Sequence, residues 1–565
     1  MNALRILALL GGTVGLGIMI QILVLTSPAQ PVFQYGARWF QEPATGEFSF
    51  YLRFVALGVP TTALLAVGFW QFPGGLEKLK RLSSLRILLP LLASTAVGAT
   101  TFWVLQSSVV TDDEYVYLFQ AALLALGKAS YPAPPLGEFF VNVFVVMHDG
   151  RWLGQYPPGH PLLLAPFAMV GIPRLLPIVL AGLNASISFA VLRHVFGSTW
   201  AWLGTALLLL SPLFIFTGST LLSHSTAYLA LALGILFFFR WSKEPRAALS
   251  LGGGLALGFL FATRPYTGLI LGGLVALYWA VCIIKQKRLF DLVTLVLGGG
   301  VFVLFFLFYN QQATGDAFTT GYQAIRGAGQ VELGFGPVAP GIEHTFAQGL
   351  RNVALLCVRF LIWGLSPVLM LLSPLLILAA VLSRQSRVPE VRLSAILVVG
   401  GMLSYIAYWS MGVMDTGPVK TYELLLPGMI LALAGLRFAR DRFGSRSVLA
   451  ASLASCLVAT SVLFPFQTRH LRALTDVIQA PHREVAKTVE PPAIVFVEGM
   501  QRPPYESWVF GRPNPSPDLQ DPILFVRDAG AQNQVFLEAH PGRRGYRLSL
   551  TANQPVVLPL QNRRR

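Results

Sequence analysis

Three consecutive carboxylates, Asp112, Asp113 and Glu114, open the run TDDEYVYLFQAALLALG. A carboxylate held beside an acidic hydrogen can act as a general base. Acidic residues at a helix start also have a structural use, because they complement the helix dipole and cap its first turn. The same stretch continues through a turn at Asp149-Gly150 to Arg151 and then to Tyr156-Pro157-Pro158-Gly159-His160, a stiff loop leading into an apolar helix. Two further short segments carry cations: Thr263-Arg264-Pro265-Tyr266, and the turn from Asp415 to Leu424 with Lys420, Tyr422 and Glu423. Arginine can grip an anion through two parallel hydrogen bonds. The inventory is that of proton removal next to anion binding. Snorkelling of Arg264 to a membrane surface and a local Lys420–Glu423 pair are the competing structural readings.

The elements that must position these residues are membrane spans. Of 565 residues, 54% are apolar or aromatic and 12% are charged, about half the charged share of a soluble protein. Mean hydropathy is +0.62, and the apolar residues come in unbroken blocks. The net charge of +16 does not indicate a nucleic-acid partner. The basic residues sit in short clusters between apolar blocks, as the positive-inside rule requires. Cys282, Cys357 and Cys456 lie far apart inside apolar blocks and have no metal or disulfide spacing.

Blocks long enough to cross the bilayer begin near Ile6, Phe54, Ile87, Leu175, Trp200, Ser225, Ala247, Tyr266, Phe290, Gly364, Val391, Glu423 and Ser447, predicting about thirteen transmembrane helices. The first block reads as an uncleaved signal anchor with its amino terminus inside. The clusters Lys78/Lys80/Arg81/Arg86, Arg193, Arg240/Lys243/Arg246, Lys285/Lys287/Arg288, Arg384/Arg387 and Arg437/Arg440/Arg442/Arg446 then all fall in cytoplasmic loops. The opposite loops are long and hold few cations, mainly Arg38, Lys128, Arg151, Arg264, Arg326 and Lys420. The candidate residues therefore face outward, and the acidic helix is expected to lie along the membrane surface.

The chain divides into an amino-terminal two-span extension (1–86), a membrane region (87–466) with outer loops 106–173 and 309–363, and an extracytoplasmic tail (467–565). The tail is richer in proline and mixed charge, and AIVFVEG, PILFVRD and QVFLEAH read as strands. A small α/β or β domain is expected there, with an accessory or acceptor-guiding role. Overall the fold is an all-α polytopic membrane protein carrying that domain.

Taken in order, Asp113-Glu114 in the first outer loop, YPPGHP, the TRP turn, YNQQATGDAF at Tyr309 to Phe318 and KTYELLLP at Lys420 to Pro427 resemble bacterial GT-C class membrane glycosyltransferases. The relevant group is the protein O-mannosyltransferase and aminoarabinose transferase group of glycosyltransferase family 39-like proteins. The resemblance covers roughly Ile87 to Phe466. It implies a polyprenyl-phosphate sugar donor, an extracytoplasmic acceptor (envelope glycan, lipid or protein), and inverting transfer with a first-loop acid as base. Asp113 matches the acidic position, with Asp112 and Glu114 beside it. Arg264 and Lys420 are the candidates to hold the leaving phosphate, and Arg151, Tyr156, His160, Tyr266, Tyr422 and Glu423 complete the expected substrate contacts. The sequence departs from the family at two points. Tyr156-Pro157-Pro158 stands where a Lys-Pro-Pro element is usual, and Lys420 and Tyr422 stand where an arginine-tyrosine pair is usual.

The resemblance implies a multi-pass protein of the bacterial inner membrane, with active site and carboxy terminus outside. Its partners are the lipid-phosphate donor, an acceptor and membrane lipid, with no nucleic acid. No cofactor is expected, since no Walker or GxGxxG motif is present; the carboxylates could bind a divalent ion, although no octahedral ligand set is evident. The rival class is a transporter or flippase of envelope precursors, which would carry charges in mid-span or broken helices at the bilayer centre. A non-catalytic envelope protein with the tail as binding module is a third reading.

Overall fold

The computed structural model describes residues 3–26, 45–70, 87–140, 142, 144–325, 333–339, 342–369, 373–382, 388–410, 412, 414–498, 516–550 and 555–560. The basic clusters at Lys78–Arg86 and Arg384/Arg387, together with Arg38 and Arg326, lie outside the described residues.

The protein is mostly helical. Among the described residues, ten helices are long and apolar enough to cross a membrane. They are α1 (Ala3–Leu25), α2 (Glu47–Phe69), α6 (Leu175–Phe196), α9 (His224–Lys243), α11 (Pro265–Lys285), α12 (Leu289–Thr314), α13 (Phe346–Gly364), α14 (Pro389–Ala407), α15 (Val419–Phe443) and α16 (Ser445–Thr488). A bent pair, α7 (Ser198–Leu209) and α8 (Pro212–Gly218), meets the same test jointly with a 59° break, where Ser211 caps α8 and Pro212 opens it. Two shorter apolar helices are α3 (Leu88–Val104) and α10 (Ala247–Thr263). Between α3 and α6 lie α4 (Asp112–Ala125), strands β1 (Tyr131–Pro132), β2 (Val145–His148) and β3 (Arg151–Gly154), and α5 (Gly159–Met169).

Helix α13, and the antiparallel strands β4 (Gly336–Ala339) and β5 (Ile342–His344) before it, occupy ground that the sequence suggested was outer loop. The two arginines of the helix, Arg351 and Arg359, mask its apolar face in a simple hydropathy reading. Arg359 is buried against Glu47 of α2, with Nε and Nη2 at 2.6 and 2.7 Å from the two carboxylate oxygens. Tyr51 and Trp363 add a second bond at 2.9 Å across the same contact. The amino-terminal helices are thereby fastened to the bundle.

Glycine sets the tightest helix pair. A Cβ on Gly254 or Gly258 of α10 would fall 2.2 or 2.6 Å from a backbone carbonyl oxygen of α12. The GGGLALG run therefore lets two backbones touch, as small residues do between membrane helices.

The long helix α16 runs through residues 466 and 467 without a break and ends at Thr488. A four-stranded sheet follows, with order β7-β6-β8-β9. It comprises β6 (Ala493–Val497), β7 (Ile523–Arg527), β8 (Arg544–Leu550) and β9 (Pro555–Pro559); β7 and β8 flank β6 in parallel, and β9 pairs antiparallel with β8. Strand β6 is buried at all five positions, in keeping with its unbroken apolar run. The expected strand at QVFLEAH is instead helix α17 (Asn533–Ala539). Leu, Glu and Ala favour helix, and the turn buries Phe536 and Leu537 on one side. Phe536 meets Phe139 and Phe140 at ring separations of 4.5 and 5.5 Å. The tail thus packs over the first outer loop.

Candidate active site

Helix α4 brings its three acids to different fates. Glu114 is fully buried. Its carboxylate accepts from the backbone N–H of Val110 at 2.9 Å and of Leu221 at 2.8 Å, and pairs with Arg174 at 3.1 Å. That is a clasp between α4, α6 and the loop before α9, and it fulfils the capping use of an acid at a helix start. Asp112 is also buried; burial, with the neighbouring Asp113 charge, pushes its carboxyl up to about 8. Asp113 is the acid that remains partly exposed. Burial raises its carboxyl above the usual range, while a hydrogen bond from Tyr156 and the field of Arg264 hold it down.

A continuous seam of side chains runs from Asp113 to Arg264. The Tyr156 hydroxyl donates to the Asp113 carboxylate. The Tyr156 ring stacks on Tyr117 with centroids 4.5 Å apart. Tyr117 donates to Ser223 Oγ at 2.9 Å, and Arg264 Nη1 donates to the same oxygen at 3.1 Å. Arg264 Nε lies 3.3 Å from Glu423 Oε1, which also meets His224 Nδ1 at 3.0 Å. Among the described residues, Glu423 Oε2 is buried without a hydrogen-bond partner. The Arg264 side chain keeps 23% of its surface exposed.

Local sequence explains the approach. Gly159 sits against Thr263, and a Cβ there would fall 2.8 Å from the Thr263 Cα and N. Only glycine lets the YPPG loop lie directly on the TRP turn. The Asp149-Gly150 turn, with φ of 48° and 72°, closes the β2–β3 hairpin that leads into Tyr156, as the sequence indicated.

The other sequence candidates divide clearly. His160 is a buried strut: its Nε2 meets the Leu221 carbonyl at 2.7 Å and its Nδ1 the Thr226 hydroxyl at 2.9 Å, and burial lowers it to about 4. It supports Tyr117 edge-on, at 4.8 Å between ring centroids. Tyr422 is core, stacked on Phe214 and bonded to its carbonyl. Lys420 donates to the Ser410 carbonyl and lies over the rings of Tyr408 and Tyr405, at 3.4 and 5.4 Å from their centroids. Tyr266 closes that aromatic group, 5.2 Å from Tyr408 and 5.8 Å from Tyr405. Arg151 is not in this group; it donates to the Gln312 carbonyl at 2.8 Å on the far side of the hairpin. Tyr117, Ser223 and His224 are members that the motif reading missed. The signal was available in SHST at 223–226, a polar run between two apolar blocks.

Among the described residues, no group of three or more His, Cys, Asp or Glu is arranged to hold a metal. The chemical capacity of the seam is a carboxylate whose pKa burial raises, linked through Tyr156, Tyr117 and Ser223 to a partly exposed arginine.

The chain matches no family model, and no curated protein matches it in sequence. Its fold does match solved structures. ArnT from Cupriavidus metallidurans bound to undecaprenyl phosphate is similar over 81% of this chain and 92% of its own, with 12% identity and a TM-score of 0.52. The apo state of the same protein is similar over 78% and 89%, with 14% identity and a TM-score of 0.51. The chain therefore shares the polytopic fold of ArnT.

Proposed function

We propose that the protein is a membrane glycosyltransferase that moves a sugar from a polyprenyl-phosphate carrier to an extracytoplasmic acceptor with inversion. The observation that carries this reading is the joining of Asp113 to Arg264 through Tyr156, Tyr117 and Ser223 in a fold shared with a protein crystallised on undecaprenyl phosphate.

In this account the acceptor O–H or N–H gives its proton to the Asp113 carboxylate as its lone pair attacks the anomeric carbon. The carbon–oxygen bond to the phosphate breaks through an oxocarbenium-like state. The electron pair leaves on the phosphate, which Arg264 neutralises. A base whose pKa is raised by its surroundings suits proton removal near neutral pH. Asp112, pushed up to about 8, stays largely protonated there and does not compete as the base. Glu423 orients Arg264, and Lys420 in its aromatic group supplies a second cation near the donor.

Beside the ten long helices and the bent pair, shorter apolar helices lie at Leu88–Val104, Ala247–Thr263 and Ser373–Leu382, the last within the block starting at Gly364. With the amino terminus inside a bacterial inner membrane, the acidic helix and the tail face outward. The tail, resting on the first loop, would guide the acceptor. A strain lacking the gene tests the reading: it should accumulate one polyprenyl-phosphate sugar and lose one modification from its envelope glycans, lipids or proteins, read by mass spectrometry. An unchanged carrier pool with an unchanged envelope would contradict it.

A further inference from the structure

A cavity of about 430 Å³ opens between the carboxy-terminal end of α4 and the last turns of α12. The segment after α4 and strand β3 contribute Lys128 and Arg151, and α12 contributes Phe305, Phe308 and Tyr309. It is not part of the seam described above. Leu124, at its rim, is about 16 Å from Asp113 along the helix at 1.5 Å per residue. Gln120 stands between the two, donating to the Tyr156 carbonyl at 2.6 Å and to the Tyr309 hydroxyl at 2.8 Å.

The cavity has an uncompensated positive wall. The Lys128 ammonium lies over the Tyr131 ring at 4.3 Å, and Arg151 uses one nitrogen on the Gln312 carbonyl. Among the described residues, neither has a carboxylate at ion-pair distance, and no acid lines the cavity. Phe305 and Phe308 form an apolar wall continuous with the outer face of α12, where Leu304 and Phe308 are 68% and 62% exposed. Helix α12 begins beside Lys285, Lys287 and Arg288, so the cavity lies at the other end of an apolar helix long enough to cross the bilayer. Cations that meet an exposed apolar face at a helix end match one kind of ligand, an anionic head group with hydrocarbon attached. Lysine offers a point charge to a phosphate and arginine a directional grip.

We infer that this cavity binds the phosphate-bearing head group of a membrane lipid, at a site separate from the Asp113–Arg264 seam. The inference goes beyond the proposed transfer and does not depend on it. Free phosphate shares the head-group chemistry, and the apolar wall is what selects a lipid over it.

The test uses the full chain in nanodiscs containing a photoactivatable phosphatidylglycerol or its phosphatidylcholine analogue, with crosslinked peptides mapped by mass spectrometry. The expected result is preferential phosphatidylglycerol crosslinking within 124–131 and 305–312. It should fall about fivefold in Lys128→Gln, the loss expected for one cation at a membrane surface. Arg151→Lys should retain more of it than Arg151→Gln, and excess inorganic phosphate should leave it in place. Equal crosslinking by the two lipids, or an unchanged yield in a folded Lys128→Gln protein, would overturn the inference. Displacement by inorganic phosphate would overturn the choice of a lipid. No readout involves sugar transfer, so failure here leaves the proposed function untouched.

Discussion

At the residue scale, the neighbours Asp113 and Glu114 meet opposite surroundings. Glu114 accepts two backbone N–H groups and an arginine in a closed environment, so Glu114→Ala leaves those donors and a cation without their partner. A loss of about 3–5 kcal/mol of stability is expected, checked by thermal unfolding of the detergent-solubilised protein. A second prediction concerns Tyr156, whose hydrogen bond lowers a carboxyl that burial raises. Removing the bond in Tyr156→Phe lets the Asp113 pKa rise further. Because the base works only when deprotonated, the acid limb of the kcat/KM profile should move to higher pH. A limb that stays in place, or moves to lower pH, would remove Asp113 as the titrating group. The sequence made the acidic triplet visible but not its division of labour. Adjacent helix positions point about 100° apart, and which one meets the core depends on Leu221 and Arg174, more than 50 residues away in the chain. For the same reason His160 looked free in YPPGH, whereas both of its nitrogens are engaged.

At the element scale, the site depends on the YPPG loop lying on the TRP turn. Gly159→Ala would push a methyl into the Thr263 backbone. Overpacking of this kind costs about 1–3 kcal/mol. Its sharper effect should be on geometry, with transfer reduced more than the melting temperature suggests and donor binding weakened with it. Transfer and thermal melts measured on the same preparation check this; normal transfer would show that the contact does not set the site. The Asp149-Gly150 turn, α5 and strands β6 and β7 were legible because each rests on a local signal: a turn dipeptide, a Pro-Pro-Gly start or an unbroken apolar run. Helix α17 was not, since QVFLEAH alternates loosely enough to read as a strand and is decided by packing on Phe139 and Phe140. Helix α13 was hidden by Arg359, whose charge is neutralised by Glu47, 312 positions earlier.

At the scale of the whole molecule, the apolar blocks announced a polytopic membrane protein, and the order of short motifs pointed to the fold that ArnT shares at 12% identity. No single motif would have sufficed, because the seam draws on α4, the YPPG loop, the start of α9, the TRP turn and the start of α15. Sidedness follows from the basic loops: a cysteine at position 442 should be protected from a membrane-impermeant thiol reagent in intact cells, and one at position 316 labelled. The reverse pattern would turn the protein over and place Asp113 inside. The central claim is that Asp113 takes the acceptor proton during sugar transfer from a polyprenyl phosphate. The most direct test measures single-turnover transfer from a synthetic polyprenyl-phosphate sugar by purified wild-type and Asp113→Asn proteins, with donor binding measured in parallel. Normal folding and donor binding are expected, with transfer slowed about 10²–10⁴-fold, the usual contribution of a general base. Near-normal transfer by a folded Asp113→Asn protein would contradict that claim.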